Sequence, residues 1–169
     1  MCQTKLTWHV QLLRATEESK PQLAWTLMSS AAKHLISLGY HRRSTYERLQ
    51  PQEAEAMRRL FWRIFAHDRV MSLNLGRGTI MREEETDVDL ITLPSDPRIR
   101  QWDEIYLQFL QFSRIQGYIY EELYSLSASR RSLEERQSSC AKLDFMLRKW
   151  RSTATTVRLA CARRCSLPL

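Results

Sequence analysis

At 169 residues, with 43% hydrophobic and 27% charged side chains, the chain is long enough for a real core and has an ordinary globular make-up. Four glycines and five prolines are too few for a turn-rich β architecture, and no apolar run approaches the roughly 18–20 residues that span a bilayer. The formal net charge of +7 does not describe a basic body: residues 1–129 hold 16 basic and 16 acidic side chains, and residues 130–169 hold 10 and 3.

The opening MCQTKLTWHVQLL has neither a basic start nor a small-residue cleavage site, so an intracellular protein without a secretory signal is expected. Up to residue 18 the apolar residues Leu6, Trp8, Val10, Leu12 and Leu13 follow no clean period, and no defined element is assigned there. Ser19-Lys-Pro-Gln22 has the pattern of a capping box, with Pro21 in a first turn where its missing amide costs nothing. Ala24, Leu27/Met28, Ala31, Leu35 and Leu38 then fall at helical spacing, and Gly39 supplies the stop. Residues 41–50 read as a polar connection. Pro51 opens the next helix, and Glu53 and Glu55 are expected in its first turn, favourable to the dipole.

That helix carries Ala54, Met57, Phe61, Ile64, Asp68, Met71 and Leu75 on one face, while Leu60, Trp62, Phe65 and Leu73 widen the apolar surface. Packing on more than one side is expected, ending at Gly76 and Gly78. The following TIMREEETDVDLITLPSDP holds Glu83, Glu84, Glu85, Asp87 and Asp89 interrupted by Val88, Leu90 and Leu93, the pattern of an extended segment pinned to a surface. From Arg98 a periodic stretch places Trp102, Ile105/Tyr106, Phe109, Phe112, Ile115, Ile119, Leu123 and Leu126 on a common face. A second capping box, Ser132-Leu-Glu-Glu135, starts the last helix through Leu133, Cys140, Leu143, Leu147 and Trp150. No segment alternates as a strand and no repeat is present. The expected fold is all-α, an irregular multi-helix bundle with one extended acidic segment between helices.

Catalytic and metal patterns are absent from the sequence. His9, His34, His41 and His67 lie far apart, and His67 and Asp68, adjacent on a helix, diverge by about 100° and cannot pair as base and orienter. Cys2, Cys140, Cys161 and Cys165 include no C-x-x-C pair, and scattered reduced thiols are expected. Asp68 falls on the apolar stripe, where a carboxylate must be paired or accept several hydrogen bonds. An arginine or a backbone amide of a neighbouring segment is its expected partner. Arg58 and Arg59 sit amid bulk that leaves no exposed basic face for DNA, and Glu55 and Arg59 form an i, i+4 pair. Arg63, Arg69 and Arg77 are placed to meet the acids of 83–89 if the chain doubles back.

The run LISLGYHR (35–42), then EAEAMRRLFWRIFAHDRVMSLNLGRG (53–78), then DVDLITLP (87–94), resembles the middle homology region of fungal binuclear zinc-cluster (Zn2Cys6) transcription factors. Several ordered motifs carry the likeness, with a looser one over 19–150. Tyr40 stands where leucine is usual, Met57 replaces the first of three basic residues, and Gly78 replaces a proline. The matching motif positions are Gly39, His41, Arg42, Arg58, Arg59, Phe61, Trp62, Asp68, Arg69, Gly76, Arg77, Asp87, Asp89 and Pro94, for which the resemblance implies structural or regulatory roles.

The resemblance further implies a nuclear, non-enzymatic fragment of a transcription regulator, with a regulatory domain over 19–150 and a basic tail over 151–169. It implies that no cofactor is held in this chain, zinc belonging to the family's six-cysteine DNA-binding module, whose two C-x-x-C-x6-C blocks are not in the sequence. Expected partners are proteins of the transcription machinery or the rest of the chain's own domain, with a small-molecule effector between helices as a further possibility, DNA only through an upstream module, and no membrane. A truncated competitor of full-length factors, and a helical sensor or scaffold unrelated to DNA, are the alternatives.

Overall fold

A computed structural model describes residues 20–165, with side chains through Thr155; the Ser19 capping box lies outside these residues. Helices run over Pro21–Ser37 (α1), Arg43–Tyr46 (α2), Pro51–Leu75 (α3), Pro97–Ile119 (α4) and Leu133–Cys165 (α5). A π-helical turn, Tyr120–Tyr124, continues α4, and a 3-10 turn covers Ala128–Arg130. Among the described residues there is no β-strand, as expected of an all-α chain. The chain clusters into two compact units, one closing at Leu90 and the other opening at Ile91.

In the first unit α1 packs on α3. The buried stripe of α1 is Ala24, Met28, Ser29, Ala32 and Leu35, and its small members let the two helices approach closely. Pro21 and Pro51 each sit in a first turn, where the lost donor was an orphan already. The end of α1 is a complete Schellman motif: the Tyr40 amide donates to the Leu35 carbonyl and the Gly39 amide to that of Ile36. Gly39 takes the left-handed conformation this requires, with φ 75°. Its carbonyl accepts from the Thr45 hydroxyl at 2.7 Å, which ties the stop to the following turn.

That turn corrects the expected polar connection. Arg43–Tyr46 forms one turn of helix, and Tyr46 is buried with its hydroxyl donating to the Tyr40 carbonyl at 2.7 Å. Burial pushes the Tyr46 phenol far above its ordinary value despite the Arg58 charge nearby. Helix α3 buries Ala54, Met57, Phe61, Trp62, Ile64, Phe65, Ala66, Asp68, Arg69 and Ser72, more than a single stripe. Phe61, Trp62 and Phe65 meet edge to face or tilted, with the Trp62–Phe65 centroids 5.1 Å apart. Gly76, at φ 64°, ends the helix.

In the second unit α4 packs on α5. Asp96 caps α4 by accepting from the Arg98 amide, and the Ser132 capping box opens α5 with both reciprocal bonds formed. Trp150 stacks on Phe112 at 4.6 Å and donates its indole N–H to the Gln108 carbonyl. Helix α5 runs without interruption through residue 150 to Cys165.

The face expected on α4 is corrected in part. Its buried residues are Asp103, Leu110, Ser113, Ile115 and Gly117, while Ile99, Trp102, Ile105 and Phe109 are exposed, Trp102 by 71%. Leu126 is exposed as well. The helix is turned so that small and polar side chains lie inward, because the neighbouring chain rather than apolar content alone decides which side is covered.

Both left-handed glycines are structurally required, but unequally. A Cβ at Gly39 would stand 3.1 Å from the Thr45 hydroxyl, whereas one at Gly76 would meet nothing within 4 Å. Gly39→Ala should therefore cost about 2 kcal/mol and Gly76→Ala about 1 kcal/mol, read by urea denaturation of the two variants.

Candidate functional site: the polar latch on the acidic segment

Residues 76–96 contain no helix and no ladder, so their amides and carbonyls need partners supplied from elsewhere. Helix α3 supplies several of them. Asp68, with 0% exposure, accepts from the Ile80 and Met81 amides, both at 2.9 Å and both on Oδ2, with a longer 3.2 Å contact from Ile80 to Oδ1. Of the two partners open to Asp68, the backbone amide is the one found.

Next to it, Arg69 is equally buried, which is unusual for a cation. Its guanidinium lies 4.2 Å from the Phe65 ring centroid, donates to the Met81 carbonyl at 3.3 Å and approaches Glu83 at 3.6 Å. About two turns earlier, Trp62 donates its indole N–H to the Asp89 carbonyl at 2.8 Å. The far end of the segment is held by the start of α2. The Arg43 amide donates to the Asp87 carboxylate at 2.7 Å, the Arg43 side chain pairs with Asp89 at 2.9 Å, and the Asp87 amide donates to the His41 carbonyl. Met81 and Val88 fill the apolar side.

Of the motif residues, His41, Trp62, Asp68, Arg69, Asp87 and Asp89 thus take part in one latch on the segment, while Gly39 belongs to the stop of α1. Arg58 and Arg59 lie apart from it, both paired to Glu55, at 2.7 and 3.0 Å, with Arg58 also over the Tyr46 ring. Phe61 belongs to the core and Gly76 to the helix stop. Arg77 does not reach the acids: its guanidinium packs 4.3 Å from the Trp25 ring centroid. Arg42 is exposed and Pro94 half-buried, and neither is drawn into the latch.

Arg43, Tyr46, Trp25 and Met81 escaped the sequence reading. Arg43 follows directly on the motif's His41-Arg42 and had only its charge as a signal. Tyr46 sat in a run whose polar neighbours hid it. The second unit holds another unforeseen cluster: Arg131 donates to the Glu122 carboxylate and lies 3.2 Å from the Ser139 hydroxyl, which donates to the same carboxylate at 2.8 Å. These two donors hold the Glu122 carboxyl below its usual range.

A small cleft beside the latch is lined by Ile36, His41, Met81, Arg82, Glu85 and Thr86. It holds about 10 Å³, the room of a single water-sized group. Among the described residues no three His, Cys, Asp or Glu side chains gather as metal ligands. Among them, too, no helix is long and apolar enough to cross a membrane.

The family model for the fungal specific transcription factor domain matches residues 7–152, and so spans both compact units. The chain belongs to this family. It is 26% identical over 141 residues to an ABC-transporter-regulating transcription factor of Aspergillus fumigatus, covering 79% of this chain and 16% of that protein. It is 30% identical over 121 residues to Protein STB5 of Saccharomyces cerevisiae, covering 69% of this chain and 16% of that one. With the acetamidase regulatory protein of Emericella nidulans the identity is 26% over 147 residues, 86% of this chain and 18% of the relative. The chain therefore spans about a sixth of the length of the curated relatives it matches. No solved structure matches it.

Burial pushes the Asp68 carboxyl up to about 6 from 3.8, against the Met81 and Ile80 amides and the Arg69 charge, which pull it down. Since Oδ2 takes both shorter amide bonds, Oδ1 can carry a proton without opening the latch. A raised folded value means that the folded chain binds this proton more tightly than the unfolded one. The resulting stabilisation is full below about 3.8 and disappears as pH rises through about 6. Asp68→Asn, which keeps an acceptor at the Oδ2 position, should stay within about 1 kcal/mol of the parent at pH 7 and lose this pH slope. Asp68→Ala leaves two amides unanswered and should cost about 2–4 kcal/mol. Urea titrations of both variants between pH 4 and 8 give these values.

Proposed function

We propose that this chain is a non-catalytic regulatory part of a nuclear fungal transcription regulator and acts through protein contacts. The observation that carries the proposal is the family match over 7–152, the domain shared with the transcription regulators above. The polar geometry supports the same reading. The conspicuous motif residues Trp62, Asp68, Arg69, Asp87 and Asp89 direct their polar atoms at the chain itself, which is the work of a scaffold. DNA recognition and zinc binding then belong to a module outside these residues. The relatives' names point to different targets, transporters in one and acetamidase in another, so no target gene is proposed.

Protein contact is favoured over an internal effector by where the apolar surface lies. Ile99, Trp102, Ile105 and Phe109 form an exposed row at helical spacing on α4.

Fusion of the chain to an unrelated DNA-binding domain tests the proposal on a fungal reporter gene. The fusion should change reporter output relative to the DNA-binding domain alone. Trp102→Glu combined with Phe109→Glu should abolish that change while leaving the far-ultraviolet dichroism intact, since both side chains are already exposed. A fusion whose output equals that of the bare DNA-binding domain overturns the reading.

A further inference from the structure

We propose that Thr86 is a phosphorylation site for an acid-directed serine/threonine kinase, and that Arg82 and His41 receive the phosphoryl group. Thr86 is preceded by Glu83, Glu84 and Glu85 and followed by Asp87 and Asp89. A kinase whose substrate groove is basic selects such a flank by charge. The acids are not gathered around an ion: Asp87 and Asp89 face Arg43, Glu83 faces Arg69, and Glu85 faces Arg82.

The backbone is presented suitably. Thr86 lies outside any helix, on a turn closed by its own amide donating to the Glu83 carbonyl, and its hydroxyl donates to the Arg82 carbonyl at an exposed position. A kinase need break only that one weak hydrogen bond to reach the oxygen.

The second observation lies next to the hydroxyl. Thr86 lines the small cleft together with His41 and Arg82, and the His41 Nδ1 atom is buried there without a hydrogen-bond partner. An orphaned imidazole nitrogen is costly unless something answers it. Arg82 is 71% exposed and only 3.9 Å from Glu85, a loose contact in water that a phosphate dianion readily replaces. His41 and Arg82 therefore line the same cleft as the Thr86 side chain.

The transfer uses a nucleoside triphosphate as donor. The Thr86 Oγ1 to γ-phosphorus bond forms as the bond from that phosphorus to the β–γ bridging oxygen breaks. The hydroxyl proton passes to the kinase's general base, and the nucleoside diphosphate leaves. The product brings close to two negative charges beside Glu83, Glu85 and Asp87. Arg82 offsets that repulsion and the His41 imidazole lies in the same cleft, with Arg43 the next cation held against the segment.

The 169-residue chain, a purified acid-directed kinase and ATP provide the test. One phosphoryl group should appear on the folded chain, mapped to Thr86 by fragment mass spectrometry, absent in Thr86→Val and several-fold slower in Glu84→Gln. The phosphorus-31 resonance should titrate at a lower pH in the folded chain than in urea, because cations favour the dianion. Arg82→Gln and His41→Gln should each move it back toward the unfolded value. Arg82 is exposed, so its variant separates loss of the phosphate contact from misfolding. Transfer confined to other residues, or none on the folded chain, overturns the site. A phosphothreonine that titrates alike in folded chain, urea and Arg82→Gln overturns the receiving pair.

Discussion

The first unit depends on one buried carboxylate that answers two consecutive backbone amides. A segment with no ladder of its own can lie against a helix only if its peptide groups find acceptors and donors there, because a peptide group sealed from water without a partner costs as much as a lost hydrogen bond. Asp68 reaches Ile80 and Met81 just after the helix has stopped at Gly76, and so decides where the chain turns back. Once it has turned, Arg69, Trp62 and Arg43 complete the attachment at successive points along the segment. Their geometry presupposes the first bend.

Charge in this chain has two uses. In the first unit, arginines are drawn inward or onto aromatic faces: Arg69 over Phe65, Arg77 over Trp25, Arg58 over Tyr46. A guanidinium suits such places because it is flat, weakly hydrated and keeps its charge. In the second unit the longest helix keeps its described basic residues, Arg148 and Lys149 among them, in solvent, and Arg148 is paired to Asp144 one turn away. The excess positive charge of the sequence therefore says little about the part of the fold that the family motifs specify.

Helix existence was legible because α1 and α3 pair a helical period with a proline start and a glycine stop, and α5 pairs one with a capping box. Ser132 and Glu135 form the reciprocal bonds their spacing announces, and Gly39 takes the conformation its position requires. Asp68 was legible for a different reason: a carboxylate on an apolar stripe is a local contradiction that only a tertiary partner removes. Which partner it would be was not legible, since the Ile80 and Met81 amides are identical in kind to every other amide in the chain. The outward turn of Trp102 and Phe109 was also hidden. Periodicity shows that a helix has an apolar side, but not whether anything covers it. Arg77 shows the same limit, because proximity in sequence to five acids lost to the flat face of Trp25, a residue far back along the chain.

The π-turn at Tyr120–Tyr124 sets how the second unit tolerates changes in length. A turn of this kind holds one residue more than an α-helix would over the same rise. Glu122 within it and the loop to Arg131 beyond it are oriented by that surplus residue. A lineage that lost one residue here would gain a regular helix, yet every side chain downstream would swing by about 100° and Glu122 would leave Arg131 and Ser139. Whole-turn insertions preserve facing and single-residue ones do not, so length changes in this stretch are expected to be absent or compensated nearby.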